Sequence, residues 1–232
     1  MRNPDGPQHL LIDADDTLWE NNIYFENAFD EFVDYLKHSS MSAPEIRAVL
    51  DEIELANIKI HGYGAANFAR NLAQCYQRLV EREIGDEDVR TVMSFAERIL
   101  ECPMEIIDGV SDTLAYLAGR HELTLFTKGH AEEQKMKIDR SGLRVYFSHT
   151  AIVKEKDAEA YGSLSRERGL DPRRTWMVGN SPKSDVNPAL AAGLNAVYIP
   201  HPRTWGLERE EIQPANGWLL VLENFSGLRR HF

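Results

Sequence analysis

The chain has 232 residues, 43% of them apolar and 27% charged. A chain of this length forms one large domain or two modest ones and buries roughly 70% of its unfolded surface, so it needs no covalent staples. Twenty-six Lys and Arg against 37 Asp and Glu leave a net charge of −11, which argues against a sequence-independent nucleic-acid binder or a protein that coats anionic membranes.

Two cysteines, Cys75 and Cys102, make neither a disulfide framework nor a Cys-only zinc site and read as reduced thiols. Residues 1–7 are polar, with no apolar core of a signal peptide, and the apolar stretch Trp218 to Leu222 is far too short to span a bilayer. The expected location is the cytoplasm.

In chain order, His9 to Ile12 reads as a short buried strand. Phe25, Ala28, Phe29, Phe32 and Leu36 then recur at helical spacing. Ser42-Ala43-Pro44-Glu45 is a capping box with Pro in the first turn, and it opens a helix carrying Ile46, Val49, Leu50 and Ile53. His61-Gly62-Tyr63-Gly64 is a break. A third helix is expected over about 66–83 and a fourth over about 88–100. No strand pattern interrupts this block.

After Pro103 short apolar runs alternate with helices. Helices are expected at Val110 to Ala118, Ala131 to Ser141, Ala158 to Arg168 and Val186 to Ala192, each followed by glycine. Strands are expected at Leu123 to Phe126, Thr150 to Val153, Thr175 to Val178, Ala196 to Ile199 and Trp218 to Leu222. Strands alternating with helices imply an α/β fold with a parallel, Rossmann-like sheet, here interrupted after its first strand by a helical insert. Such sheets bind ligands beyond the carboxyl ends of their strands.

Asp13-Ala14-Asp15-Asp16-Thr17 directly follows the first strand. Three carboxylates in four positions repel one another unless a cation or a proton neutralises them. In an extended segment Asp13 and Asp15 point the same way, so one site could use both, and oxygen ligands at a strand end suit Mg²⁺. A solvated acidic turn is the plainer account of the same residues. Thr127-Lys128-Gly129 supplies a hydroxyl, a cation and a flexible amide, the parts of a phosphate cradle. Lys154 and Lys156 offer a cation after the third strand. Gly179-Asn180-Ser181-Pro182-Lys183-Ser184-Asp185 offers an amide oxygen and a carboxylate near a helix start.

Taken together, these four segments resemble the haloacid dehalogenase-like hydrolase superfamily, in its phosphatase branch. Asp13-x-Asp15-x-Thr17 is similar to the first motif, Thr127 to the second, Lys156 to the third, and Gly179-Asn180-Ser181 through Asp185 to the fourth. The 114 residues between Asp13 and Thr127 resemble the branch whose helical cap is inserted after the first motif. The resemblance implies a core from residues 1–19 and 104–232 and a cap from residues 20–103 that closes over the site and selects the substrate. Lys156 is preferred to Lys154 because Lys156-Asp157-x-x-x-Tyr161 opens a helix as the family's third motif does.

The resemblance further implies a hydrolase of a small phosphorylated metabolite. Asp13 would be the nucleophile that forms an aspartyl-phosphate, and Asp15 the general acid and then base. Asp15 would have to be protonated part of the time, which a neighbouring carboxylate encourages. Thr127, Lys128, Gly129 and Lys156 would hold the phosphoryl oxygens. Mg²⁺ would sit among Asp13, Asp15, Asn180 and Asp185. Two departures stand out. Asn180 replaces the usual aspartate and brings no charge, and Lys128 stands where many members carry Asn. True 2-haloacid dehalogenases lack an acid at the place of Asp15, so its presence favours phosphoryl chemistry. A phosphotransferase or mutase, or a weakly catalytic phosphate-binding regulator, shares the same motifs. In the cap, His61 to Gly64 is a candidate substrate-facing loop, or a plain turn, and Trp19, Tyr24 and Phe25 line the entrance or fill the core. The eight histidines show no metal-binding spacing.

Overall fold

The computed structural model describes residues 6–213 and 217–232. Residues 1–5 of the polar N-terminal stretch lie outside the described residues. The chain divides into two compact units, residues 1–20 with 104–232, and residues 21–103. The first unit is α/β and the second is helical.

The α/β unit is built on a six-stranded parallel sheet. Its strands are β1 (His9–Ile12), β2 (Glu122–Lys128), β3 (His149–Val153), β4 (Thr175–Gly179), β5 (Asn195–Tyr198) and β6 (Leu219–Val221). Their spatial order is β3-β2-β1-β4-β5-β6. β1 is central, with Leu10 opposite Leu123 on one side and Trp176 on the other. Its Leu10, Leu11 and Ile12 can all be apolar because helices cover both faces of a parallel sheet.

Successive residues alternate between those faces. Leu10, Ile12, Leu123, Leu125 and Val178 join Val110, Leu114 and Leu117 of the helix Val110–Ala118 in one core. Leu11, Phe126 and Met177 join Tyr161 and Leu164 of the helix Ala158–Arg168 in the other. The chain winds from β1 to β2 and β3 on one side, then crosses to β4, β5 and β6. Strand order therefore reverses beside β1, and the crevice at the strand carboxyl ends opens between β1 and β4.

The helical unit consists of α1 (Asn22–Leu36), α2 (Ala43–His61), α3 (Ala65–Leu79) and α4 (Asp86–Glu97). Phe29, Phe32, Leu50, Ile53, Phe68, Leu72, Tyr76 and Val92 form its buried core. The capping box holds as expected in its acidic half: the Ser42 backbone N–H and hydroxyl both donate to Glu45 Oε2 at 2.7 Å. In the α/β unit α5 (Val110–Ala118), α6 (Ala131–Ser141), α7 (Ala158–Arg168) and α8 (Asn187–Ala191) cross between strands.

Several boundaries differ from the sequence expectation. α3 ends at Leu79, and α4 begins at Asp86 rather than near 88. Asp88 accepts from the Gly85 N–H at 2.9 Å, from the Arg82 guanidinium at 2.6 and 2.8 Å and from the Tyr35 hydroxyl, so it anchors the helix start from inside its first turn. β2 runs on through Thr127 and Lys128 because β3 pairs with both, at Ile152 and Val153. The last expected helix opens instead with a π-helical turn, Pro182–Val186, before α8.

Leu114 is fully buried in the α/β core. Leu114→Ala is expected to lower the stability by about 2–5 kcal/mol, measured as a reduced urea midpoint with an unchanged m-value.

Candidate active site

β1 ends in a turn that leaves no room for a longer extended segment. The Asp13 N–H still donates to Val178 O at 2.9 Å, as if the ladder continued. Ala14 O then accepts from the N–H groups of Thr17 and Leu18, and the Asp16 N–H donates to Trp19 O. Asp16 sits in the left-handed region, φ 58°, to close this turn. Asp13 and Asp15 therefore find different hydrogen-bond partners.

Asp13 points into the crevice between β1 and β4. Lys156 Nζ donates to Asp13 Oδ1 at 2.5 Å and to Asp185 Oδ1 at 2.7 Å. The Thr17 hydroxyl donates to Asp13 Oδ2 at 3.0 Å. Lys156 is 3% exposed and Asp185 1% exposed, so this is a buried cation between two buried carboxylates. Lys154 is exposed.

The trio carries one net negative charge. Burial, and then the charge of Asp185, push the Asp13 carboxyl up to about 7, against the pull of Lys156; Asp15 adds a smaller push. Burial also works against the Lys156 ammonium, but Asp13 and Asp185 outweigh it and hold the amine above its ordinary value.

Asp15 behaves in the opposite way. Its carboxylate accepts from Lys137 Nζ at 2.6 and 2.7 Å, from Gln134 Nε2 at 2.8 Å and from the Trp19 indole N–H at 2.7 Å. Burial alone would raise its pKa, but the Lys137 charge and these three donors hold it below the usual carboxylate range. The expectation that a neighbouring carboxylate raises Asp15 is thus corrected: its donors lower it, while burial and Asp185 raise Asp13 instead.

The fourth motif is shaped by close approach. A Cβ at Gly179 would lie 2.2 Å from Asp185 Oδ2, so only glycine lets β4 end against that carboxylate. The Ser181 N–H donates to Asp185 Oδ2 at 2.9 Å, and the π-helical turn closes through bonds from the Asp185 and Val186 N–H groups to Ser181 O. Asn180 donates through Nδ2 to Thr204 Oγ1 at 3.0 Å, which leaves its Oδ1 3.3 Å from the Thr17 hydroxyl. The amide oxygen therefore faces the first motif.

Thr127 is buried at the end of β2. Lys128 beside it points neither to bulk solvent nor only to a ligand, the two outcomes open from sequence. Its amine donates to Glu208 Oε1 at 2.7 Å, Ser184 Oγ at 2.8 Å and Glu155 Oε1 at 3.2 Å. Glu208 Oε2 in turn accepts from the hydroxyls of Ser181, at 2.6 Å, and Ser184, at 2.5 Å. Burial disfavours the Glu208 anion, but Lys128 and the two serines overcome this and lower its pKa. Lys128 is thus a link between β2 and the fourth motif.

Sequence reasoning missed Lys137, Gln134, Glu208 and Thr204, which lie outside all four motifs. It assigned no histidine a role, yet the fold gathers Asp16, Glu20 and His201, with ligand-type atoms within 4.8 Å of one another and His201 Nε2 3.4 Å from Glu20 Oε1. Trp19 is fully buried in the α/β core, not an entrance residue. Tyr24 and Phe25 pack on the helical core, Phe25 edge-to-face with Phe68 at 5.2 Å. Residues 62–64 connect α2 to α3, braced by the Asn67 amide donating to Gly62 O at 2.6 Å. Cys75 and Cys102 are not joined in a disulfide, and the Cys102 thiol donates to Arg98 O at 3.6 Å. Among the described residues no helix is long and apolar enough to cross a membrane.

The family model of haloacid dehalogenase-like hydrolases matches residues 7–193. No curated protein matches the chain. Among solved structures, a haloacid dehalogenase-like family hydrolase from Xanthomonas campestris is 30% identical, with a TM-score of 0.83 over 97% of this chain and 90% of its own. The HAD hydrolase YfnB of Bacillus subtilis, bound to magnesium, is 15% identical with a TM-score of 0.68 over 97% of this chain and 98% of its own. An L-2-haloacid dehalogenase from Xanthobacter autotrophicus is 14% identical with a TM-score of 0.65 over 97% of each chain. The last two share the fold, and their chemistries are their own. With its parallel sheet and a family match over most of its length, the chain belongs to the haloacid dehalogenase-like hydrolases.

Proposed function

We propose that the chain is a Mg²⁺-dependent phosphomonoester hydrolase that acts on a small phosphorylated metabolite through an aspartyl-phosphate on Asp13. The observation that carries this reading is the buried Asp13–Lys156–Asp185 trio with Asp15 two residues along. A dehalogenase would have no use for the second acid, so Asp15 favours phosphoryl transfer over the chemistry of the Xanthobacter neighbour.

The donor set fits Mg²⁺. It consists of oxygens only, carries an excess negative charge in a buried place, and leaves Asp13 with a pKa raised in part by Asp185, a burden that a bound cation relieves. The Asp13 carboxylate, the main-chain carbonyl of Asp15, Asn180 and Asp185 would hold it. When bound it supplies positive charge that shields the phosphoryl oxygens from the Asp13 carboxylate.

In the first half-reaction an Asp13 oxygen attacks phosphorus, the bond to the leaving oxygen breaks, and that oxygen takes a proton from Asp15. In the second, water attacks the same phosphorus, Asp15 accepts its proton, and the phosphorus–Asp13 bond breaks to release phosphate. Lys137 favours the anionic Asp15 that the second half needs. A phosphoryl group arriving beside it brings the negative charge that favours protonation for the first. Lys156 and Thr127 steady the transferring oxygens, and Lys156 fixes Asp13 for in-line attack. The helical unit, residues 21–103, takes the part of the substrate-selecting cap.

A second reading is favoured by Asn180, whose neutral amide makes a weaker cation site: a phosphate-binding regulator with little turnover. A screen of phosphorylated metabolites with and without Mg²⁺ separates the two. Mg²⁺-dependent turnover is expected, with Asp13→Asn lowering kcat by on the order of 10³-fold or more; near-wild-type activity in that variant rejects Asp13 as nucleophile, and phosphate binding without turnover on the whole panel favours the regulator. Asn180→Asp is expected to lower the Mg²⁺ concentration for half-maximal activity by about tenfold; an unchanged value shows that Asn180 is not a ligand.

The trio also predicts a pH dependence of the metal-free chain. Folded Asp13 keeps its proton up to about pH 7, whereas the unfolded chain releases it near 3.8. The folded state therefore binds more protons between these values, and this group's contribution to stability is lost as pH rises from about 4 to 7. In EDTA, the melting temperature of Asp13→Asn relative to wild type is expected to be several degrees higher at pH 8 than at pH 5. An equal difference at both pH values contradicts the raised Asp13 pKa.

A further inference from the structure

Asp15 has an unusual set of partners for a residue expected to shuttle protons. Trp19 comes from its own turn, but Gln134 and Lys137 come from α6, one helical turn apart on the same face. Both are buried, Gln134 at 4% and Lys137 at 9% exposed. A buried lysine is costly unless paired, and Lys137 has its pair in Asp15. Gln134 makes its contact at a cost too: its Oε1 is buried with no hydrogen bond among the described residues, while Nε2 stays on Asp15.

The backbone before α6 is shaped to allow this. Gly129 has φ +140°, and a Cβ there would lie 2.9 Å from Gln134 Nε2. The glycine of the second motif thus clears the space through which Gln134 reaches Asp15. Together the three donors fix both carboxylate oxygens: Oδ1 takes Trp19 and Lys137, and Oδ2 takes Gln134 and Lys137.

We propose that Lys137 and Gln134 of α6 are positioning residues for the reaction, a clamp that holds the Asp15 carboxylate in one orientation at the site. The clamp ties the proton-transferring residue of the first motif to the helix that the phosphate-holding loop of the second motif begins. It rests on the phosphatase reading for its catalytic meaning, and on geometry alone for its structural meaning. Lys137→Met is aimed at Asp15, whose two carboxylate oxygens the amine contacts.

Lys137→Met, Lys137→Arg and Gln134→Leu test this with two readouts. The first is the Trp19 indole N–H resonance, which reports whether Asp15 still accepts from it and needs no turnover. The second is steady-state kinetics on a phosphate ester that wild type hydrolyses. Lys137→Met is expected to move the indole resonance upfield and to lower kcat about 10- to 100-fold, with KM within about twofold, as a misaligned reactive group does. Gln134→Leu is expected to do the same more weakly, and Lys137→Arg to restore most of both signals. An indole resonance unmoved in both Lys137→Met and Gln134→Leu overturns the clamp. So does a kcat that is unchanged or raised in Lys137→Met, because Lys137 would then be a mere staple or would hold Asp15 out of use. A wild type that turns over no phosphate ester defeats the phosphatase reading, and the indole signal still decides the clamp.

Discussion

One ammonium group joins three strand ends. Lys156 leaves β3, Asp13 leaves β1 and Asp185 lies on the turn after β4, and the lysine donates to both acids at a place almost closed to water. Without that amine two buried carboxylates would face each other unpaired, a state far costlier than any exposed contact in the molecule. The pairing also leaves one surplus negative charge. That surplus makes the cluster a fit for a cation, and it makes Asp13 hold a proton more strongly than an ordinary aspartate.

The sheet makes this meeting possible. Placing β1 at the centre, with β2 and β3 on one side and β4 to β6 on the other, brings four segments far apart in the chain to one crevice. The neighbouring contacts then fix each part. Glycine at 179 lets β4 end against Asp185, and the π-helical turn directs that carboxylate back at Lys156. Glu208, from beyond β5, binds Lys128 and two serines and so fastens the fourth motif to β2. A strained or irregular backbone at a functional turn is held in place by such surrounding bonds.

The two acids of the first motif divide their properties by environment. Asp13 and Asp15 are two residues apart, yet burial with Asp185 raises one and Lys137 lowers the other. Adjacent carboxylates whose surroundings push their pKa values apart are suited to different roles. From sequence, a neighbouring carboxylate is expected to keep Asp15 protonated part of the time. The turn at Asp16 instead sends each to its own lysine.

Much of the fold was legible in the sequence because its signals are local. The run from His9 to Ile12, the capping box at Ser42 to Glu45, and helices closed by Gly142 and Gly169 each depend on neighbours a few residues away. The motif residues were legible for the same reason, as polar groups placed directly after apolar strands. What tertiary structure alone decided is which charges meet. Lys137 reaches Asp15 across 122 residues, Thr204 orients Asn180, and His201 joins Glu20 across 181 residues. No spacing encodes such pairs, since a side chain's ionisation depends on burial and on partners brought close only when the sheet has formed. The amino-acid sequence determined the strands, the helices and the four polar segments; the packed fold determined that burial and Asp185 raise the Asp13 pKa while Lys137 and its fellow donors lower that of Asp15.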